Sequence, residues 1–168
     1  MSQPSNRERI LEAGLANMIR KGYAGAAVRD VVAEAQGPQG SFTNHFRSKE
    51  EFAREVLDLY FDGTKRAVAE ALEDRRLRPR QPLERYLDLI TERLTQDQFR
   101  RGCLIGDFSL EAAPQSERLR ARLGEIFAES RAPFAACIAE GQGRSPGHSL
   151  PRTSPNSCSL LGRARSCG

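Results

Sequence analysis

Nearly every stretch from Asn6 to Gln142 repeats its apolar residues every three or four positions, and none shows a sustained strand pattern. That spacing buries one stripe of an amphipathic helix, whereas a half-buried strand needs a period of two. The chain is therefore expected to be all-α, without internal repeats. Ile10, Leu11, Gly14, Leu15, Met18 and Ile19 form the first stripe, with Asn6 as N-cap and Gly22 as stop. Val28, Val31, Val32 and Ala35 mark a shorter second helix, broken by Gly37 and Pro38. A third short helix is expected from about Gln39 to His45, with Phe42 and Phe46 turned inward. Ser48 and Glu51 make a capping box for a long fourth helix. Two prolines and four arginines between Arg75 and Pro82 read as a loop. A fifth helix begins at Leu83, a sixth spans Cys103 to Ala112, and a seventh runs from Ser116 to about Gly141. Pro133 is expected to kink the seventh.

Several function classes drop out. No apolar run approaches the roughly 20 residues that span a bilayer. Met1 to Asn6 lack a signal-peptide core, so a cytoplasmic location is expected and no membrane partner. Four cysteines without C-x-x-C spacing offer neither a zinc site nor a disulfide framework, and no metal or cofactor is expected. The two histidines, His45 and His148, join no Ser-His-Asp order, metal spacing or phosphate-binding glycine loop. The chain does not read as an enzyme. Asp107 and Glu111, one helical turn apart, read as solvated surface rather than a cation site.

Charge is distributed unevenly. Residues 1–50 carry 7 Lys/Arg against 5 Asp/Glu, and residues 51–142 carry 15 against 17. The net charge of +4 thus comes from residues 143–168, which hold 4 Arg and no acid. The mild basic excess at the front coincides with a motif. Two short helices joined by a tight Gly/Pro turn and braced by a longer one form a helix-turn-helix layout. With Phe42 and Phe46 inward, the second short helix offers Gln39, Gly40, Ser41, Thr43, Asn44 and His45. These short, uncharged hydrogen-bonding groups suit base edges and phosphates in the major groove. Gln39, Thr43, Asn44 and His45 are the candidates for base reading, and Gly40 permits close backbone approach. Lys49, Ser41 and Arg29 are the candidates for phosphate anchoring.

The run Gly22-Tyr23, then Val28 to Ala35, then Gly40 to Glu50 resembles the DNA-binding domain of TetR/AcrR-family transcriptional regulators over about residues 7–60. The resemblance implies an all-helical homodimer on double-stranded operator DNA. Each third helix enters a major groove, and a helical C-terminal domain, reached by a long helix, holds a small-molecule inducer. On that reading residues 1–50 are the DNA-binding domain, 51–142 an incomplete ligand-binding and dimerisation domain, and 143–168 an aberrant tail. The chain departs from the family pattern in Ala26-Ala27, where a Ser or Thr cap is common, and in Gln39, where lysine is frequent. Gln36 to Gln39 replaces a frequent Gly-Val-Pro-Lys type turn, and Thr43 stands where tyrosine is common. Arg101 to Phe108, with the helix from Ser116, is similar to the regulatory domain of the NemR-like and AcuR-like branch. That branch implies a repressor released by a small, reactive-carbon or electrophilic inducer.

Cys103 is the sensor candidate, because helix-start N–H groups and neighbouring Arg100 and Arg101 favour a thiolate. The alternative for Cys103 is a buried small hydrophobe, and Cys137 lies on an apolar face as core. Tyr60, Tyr86, Phe99 and Phe108 are candidates for a pocket wall, with helix packing as the alternative.

From Gly143 onwards 13 of 26 residues are Gly, Pro or Ser, and helical periodicity stops. One reading is a disordered basic tail that touches DNA phosphates. The other is a frameshift. Back-translating Arg152 to Gly168 and reading from the preceding base permits ADLAELLLAAWEGALLR, with apolar residues at helical spacing. The family resemblance implies two further helices there, which complete the dimer interface. Two further readings stand beside the regulator: an inactive, frameshifted remnant and a helical adaptor without operator specificity.

Overall fold

A computed structural model describes residues 4–38, 40–72, 81–99 and 102–143. Among the described residues seven helices follow one another: α1 (Asn6–Gly25), α2 (Val28–Glu34), α3 (Ser41–His45), α4 (Lys49–Leu72), α5 (Gln81–Gln96), α6 (Leu104–Glu111) and α7 (Glu117–Gly143). The all-α expectation holds. The tail from residue 144, Gln39, Arg100, Arg101 and most of the expected Arg75 to Pro82 loop lie outside the described residues.

Local chemistry sets the helix ends. Ser5, not Asn6, caps α1: its hydroxyl accepts the Glu8 N–H at 3.2 Å, and the Glu8 carboxylate accepts the Ser5 N–H at 2.6 Å. Both otherwise unpaired donors are thereby satisfied. Gly22 does not stop α1 but interrupts it, with φ at 72°, and helix resumes to Gly25. A side chain at Gly22 would be strained by the positive φ, and the Glu111 carboxylate, 2.5 Å from where a Cβ would lie, would have to move aside. Ser48 does cap α4, accepting the Glu51 N–H at 3.1 Å, but the Glu51 carboxylate reaches back to the Arg47 N–H at 3.1 Å. The seventh helix runs on through Pro133.

The turn between α2 and α3 closes by a Schellman arrangement. The Gly37 N–H donates to Val32 O at 3.1 Å and the Gln36 N–H to Ala33 O at 3.1 Å. The residue that must turn left-handed is Gln36, at φ 52°. A β-carbon there costs on the order of 1 kcal/mol relative to glycine.

Phe42 and Phe46 turn inward, as their spacing predicts. They meet Phe52 of α4 in an aromatic triad with ring centroids 4.8–5.3 Å apart. Gly14 of α1 lies directly on Phe52, and an added Cβ would sit 2.2 Å from its Cζ. The Arg7 guanidinium covers the Phe46 ring at 5.2 Å and pairs with Glu55 of α4. This core does not end with the three-helix head. It continues along α4 through Val56, Leu57 and Phe61 to Leu104 and Phe108 of α6 and Leu119 and Ile126 of α7. Arg122 of α7 fastens the far side, with Nε 2.5 Å from Asp58 and Nη1 2.8 and 2.9 Å from Glu125 and Glu129.

Two substitutions of opposite chemistry test this account by urea denaturation. Gln36→Gly is expected to stabilise the chain by about 0.5–1 kcal/mol, because it relieves the left-handed strain. Gly14→Ala is expected to destabilise it by about 1–3 kcal/mol, because Phe52 must leave its place.

Candidate nucleic-acid interface and ligand cavity

Helix α3 is five residues long, and its two aromatic anchors leave little freedom for the rest. Gly40 takes φ 99° before it, a conformation that glycine adopts without cost. Thr43, Asn44 and His45 are exposed on its outer face. The Thr43 hydroxyl donates to Gly40 O at 2.9 Å, which fixes its rotamer. The side chain of Asn44 is free to pair with a base edge in the manner of the common Asn–adenine contact.

Two of the three anchoring candidates sit differently from expectation. Ser41 is only 6 % exposed, and its hydroxyl donates to Pro38 O at 2.7 Å. It closes the turn, with its hydroxyl already committed to that carbonyl. The Lys49 ammonium donates to Ala24 O at 3.4 Å and lies 4.8 Å from the Tyr23 ring centroid. Burial holds its pKa below the usual lysine range, against the opposing pull of Glu111. Its place is at the junction of α1, α4 and α6. Arg29 keeps a free reach: its side chain is 90 % exposed, with only Asp30 at 3.5 Å. Other cations on the head are committed, Lys21 to Asp30 at 3.0 Å and Arg20 to Glu34 at 2.6 Å. The sequence reading missed Arg47. It is exposed just beyond α3, with its N–H fixed by Glu51, and its position two residues after the end of that helix was the available signal.

The second feature is an open cavity of about 510 Å³. Its wall includes Tyr60 and Thr64 of α4, Tyr86 and Arg93 of α5, and Cys103. Cys103 is exposed and occupies the N-cap of α6, with the Tyr60 hydroxyl donating toward its sulfur at 4.0 Å. Burial first, and then the Cys103 sulfur, push the Tyr60 phenol up to about 12, and Tyr86 is raised by the same two causes. Tyr86 is further held edge-on by Phe134 of α7, with ring centroids 4.8 Å apart. Cys137 is half-buried on α7. Phe99 is exposed and Phe108 fully buried, and neither lines the cavity. Phe108 belongs to the core, where it meets the Tyr23 ring edge-on at 5.5 Å.

Between head and cavity stands α6. Cys103 is at its start, and Glu111, at its end, is not solvated surface. The Glu111 carboxylate accepts the Ala24 N–H at 3.1 Å, across the Gly22 interruption of α1. Ser116 adds a second tie by donating to Glu50 of α4 while it accepts the Leu119 N–H at 3.1 Å.

Comparison with known proteins agrees with this geometry. Residues 10–56 match the family model of bacterial regulatory proteins, tetR family. Residues 79–146 match the C-terminal domain of LmrA/YxaF-like transcriptional regulators. The chain is 40% identical over 142 residues to the HTH-type transcriptional repressor DhaR of a Mycobacterium species, which covers 84% of this chain and 70% of that one. It is 31% identical over 114 residues to the transcriptional regulator AcuR of Cereibacter sphaeroides, covering 68% of this chain and 52% of the relative. The crystal structure of a regulatory protein TetR from Rhodobacter sphaeroides superposes with a TM-score of 0.78 at 27% identity, over 85% of this chain and 77% of that one. Reduced NemR of Escherichia coli shares the fold, with a TM-score of 0.74 at 24% identity over 82% and 72% of the two chains.

The cavity carries a pH signature. A phenol that ionises at about 12 when folded but near 10 when unfolded keeps its proton longer in the native chain. Stability should therefore fall as pH rises from about 10 toward about 12. Near-ultraviolet phenolate titration of the three tyrosines should show Tyr60 ionising last, and Tyr60→Phe should remove that final step and flatten the fall in stability.

Proposed function

Since the chain belongs to the TetR family of bacterial regulatory proteins, we propose that it is an operator-binding repressor released by a small ligand held beside Cys103. A DNA-binding regulator, and not an enzyme, is what the family establishes. One observation carries the finer reading. The exposed face of α3, Thr43, Asn44 and His45, is mounted on a continuous core that also holds α4 and α6, two of the helices that border the cavity. Base reading falls to these three residues, and phosphate anchoring to Arg29 with Arg47.

The inducer fits a small molecule with an apolar body and a polar or electrophilic end. The wall supplies aliphatic side chains, two phenols, the Arg93 guanidinium and an accessible thiol. Homodimerisation is typical of the family, and two heads on two half-sites multiply a weak single contact. Phe127 and Ile138, exposed on α7, are apolar groups that such an interface would cover. The C-terminal family match ends at residue 146, three residues beyond the change in composition, which supports the out-of-frame reading of the tail. No helix among the described residues is long and apolar enough to cross a membrane, and a DNA-binding role puts the protein with the chromosome in the cytoplasm.

The test is binding to the DNA that flanks the chain's own gene, against scrambled DNA of equal length at fixed salt. The chain is run beside a version with the tail frame restored. Selective binding is expected, stronger for the restored chain; equal binding to both DNAs by both chains would favour a helical adaptor. Asn44→Ala should cost about 1–3 kcal/mol of discrimination at one base position. Arg29→Ala should weaken all sequences alike and lower the salt slope by about one.

A further inference from the structure

The cavity is not built from regulatory helices alone. Ile19 of α1 lines it, and α1 is the helix on which the DNA-binding head is assembled. The preceding turns of α1 are fixed in the head core by Ile10, Gly14 and Met18. The turn after Ile19 is different. Gly22 interrupts the helix, and Tyr23 and Ala24 are then held by Phe108 and Glu111 of α6. Ile19 is therefore the last residue of the regular part of α1 to touch the cavity. Beyond it lies a weak point whose supports belong to the helix that starts at Cys103.

We propose that Ile19 makes the head itself a wall of the ligand site, so that an occupied cavity acts on α1 directly as well as through α4 and α6. The inference rests on the ligand-responsive reading above. A β-branched side chain is stiff at χ1, so pressure from a ligand passes to the backbone and is not absorbed by a rotamer change. The interruption at Gly22 lets the final turn of α1 shift without dismantling the Phe42, Phe46 and Phe52 triad. Ile19 is a positioning residue: it touches ligand, and its effect on DNA is exerted through α1.

Cys103 gives a handle that does not require the natural inducer. In the full chain carrying Cys137→Ser, Cys158→Ser and Cys167→Ser, N-ethylmaleimide has one thiol to take. The sulfur forms a bond to one alkene carbon, the carbon–carbon π bond breaks, and the other carbon takes up the proton that the thiol released. Intact mass counts the adduct. Hydrogen exchange over residues 15–25 and affinity for the flanking DNA are compared before and after reaction. The adduct is expected to change exchange in that segment and to weaken DNA binding by about fivefold or more. With Ile19→Ala added, the adduct should form as completely, yet both responses should shrink to within about twofold. Ile19→Val, which removes one methylene and so leaves folding near native, should give an intermediate response.

The same response in the Ile19→Ala chain would overturn the proposal, as would exchange changes confined to α5 and α6. Failure of Cys103 to take the maleimide would overturn it too, since the cavity would then be closed to a ligand that reaches α1. A changed α1 with unchanged DNA affinity would uphold the wall and sink the ligand-released repressor.

Discussion

The approach of α1 to Phe52 across Gly14 is the contact on which the rest depends. Two helices come close only where one of them lacks a side chain, and here the missing Cβ leaves room for an aromatic ring. That ring is the third member of the triad that holds Phe42 and Phe46. Helix α3 is too short to be stable by itself, since a five-residue helix barely exceeds its own nucleation cost. Its direction is set almost wholly by its two buried rings. The outward face of Thr43, Asn44 and His45 is thus a consequence of packing two helices away. A reading face needs that rigidity, because base contacts lose their value when a side chain is displaced by about an ångström.

The same core continues along α4 into α6 and α7, and this blurs the boundary between head and regulatory domain. Polar ties reinforce it at one place. Glu111, Lys49 and Ala24 form a small cluster in which a carboxylate accepts the N–H of Ala24 and an ammonium meets the carbonyl of the same residue. The end of a helix normally leaves such groups to water or to a capping side chain. Here they are satisfied by residues from α4 and α6, so the end of α1 is defined only when the three helices meet. A shift of α6 would have to exchange these partners for water.

Much of the head was legible in the sequence. Spacing gave the helices and the inward Phe42 and Phe46, and Ser48 marked the start of α4. What spacing could not show is where a polar side chain finds its partner. Ser41 and Lys49 have the chemistry of phosphate ligands, but a nearby carbonyl competes for each, Pro38 O for one and Ala24 O for the other. Phe108 and Tyr86 look alike as aromatics on helical faces. One is sealed beneath Tyr23 and the other opens on the cavity, a difference set by neighbours far along the chain. Gly22 read as a stop because glycine ends helices more often than it interrupts them. Its tolerance here depends on Glu111, 89 positions later in the numbering, filling the space a side chain would need.

A shared cavity wall also constrains the thermodynamics. A ligand shifts a conformational equilibrium only by the difference in its affinity for the two states. A site confined to regulatory helices obtains that difference indirectly, through whatever part of the motion reaches the head. A site that includes Ile19 obtains it at first contact, because the position of α1 is one of the ligand's own contacts. Coupling of binding free energies is reciprocal, so under the proposed function operator DNA that fixes the head would alter the cavity's affinity for its ligand by the same factor. On the proposed function, the half-buried Ile19, one turn from the interruption in α1, is where the two bound states would meet in covalent structure.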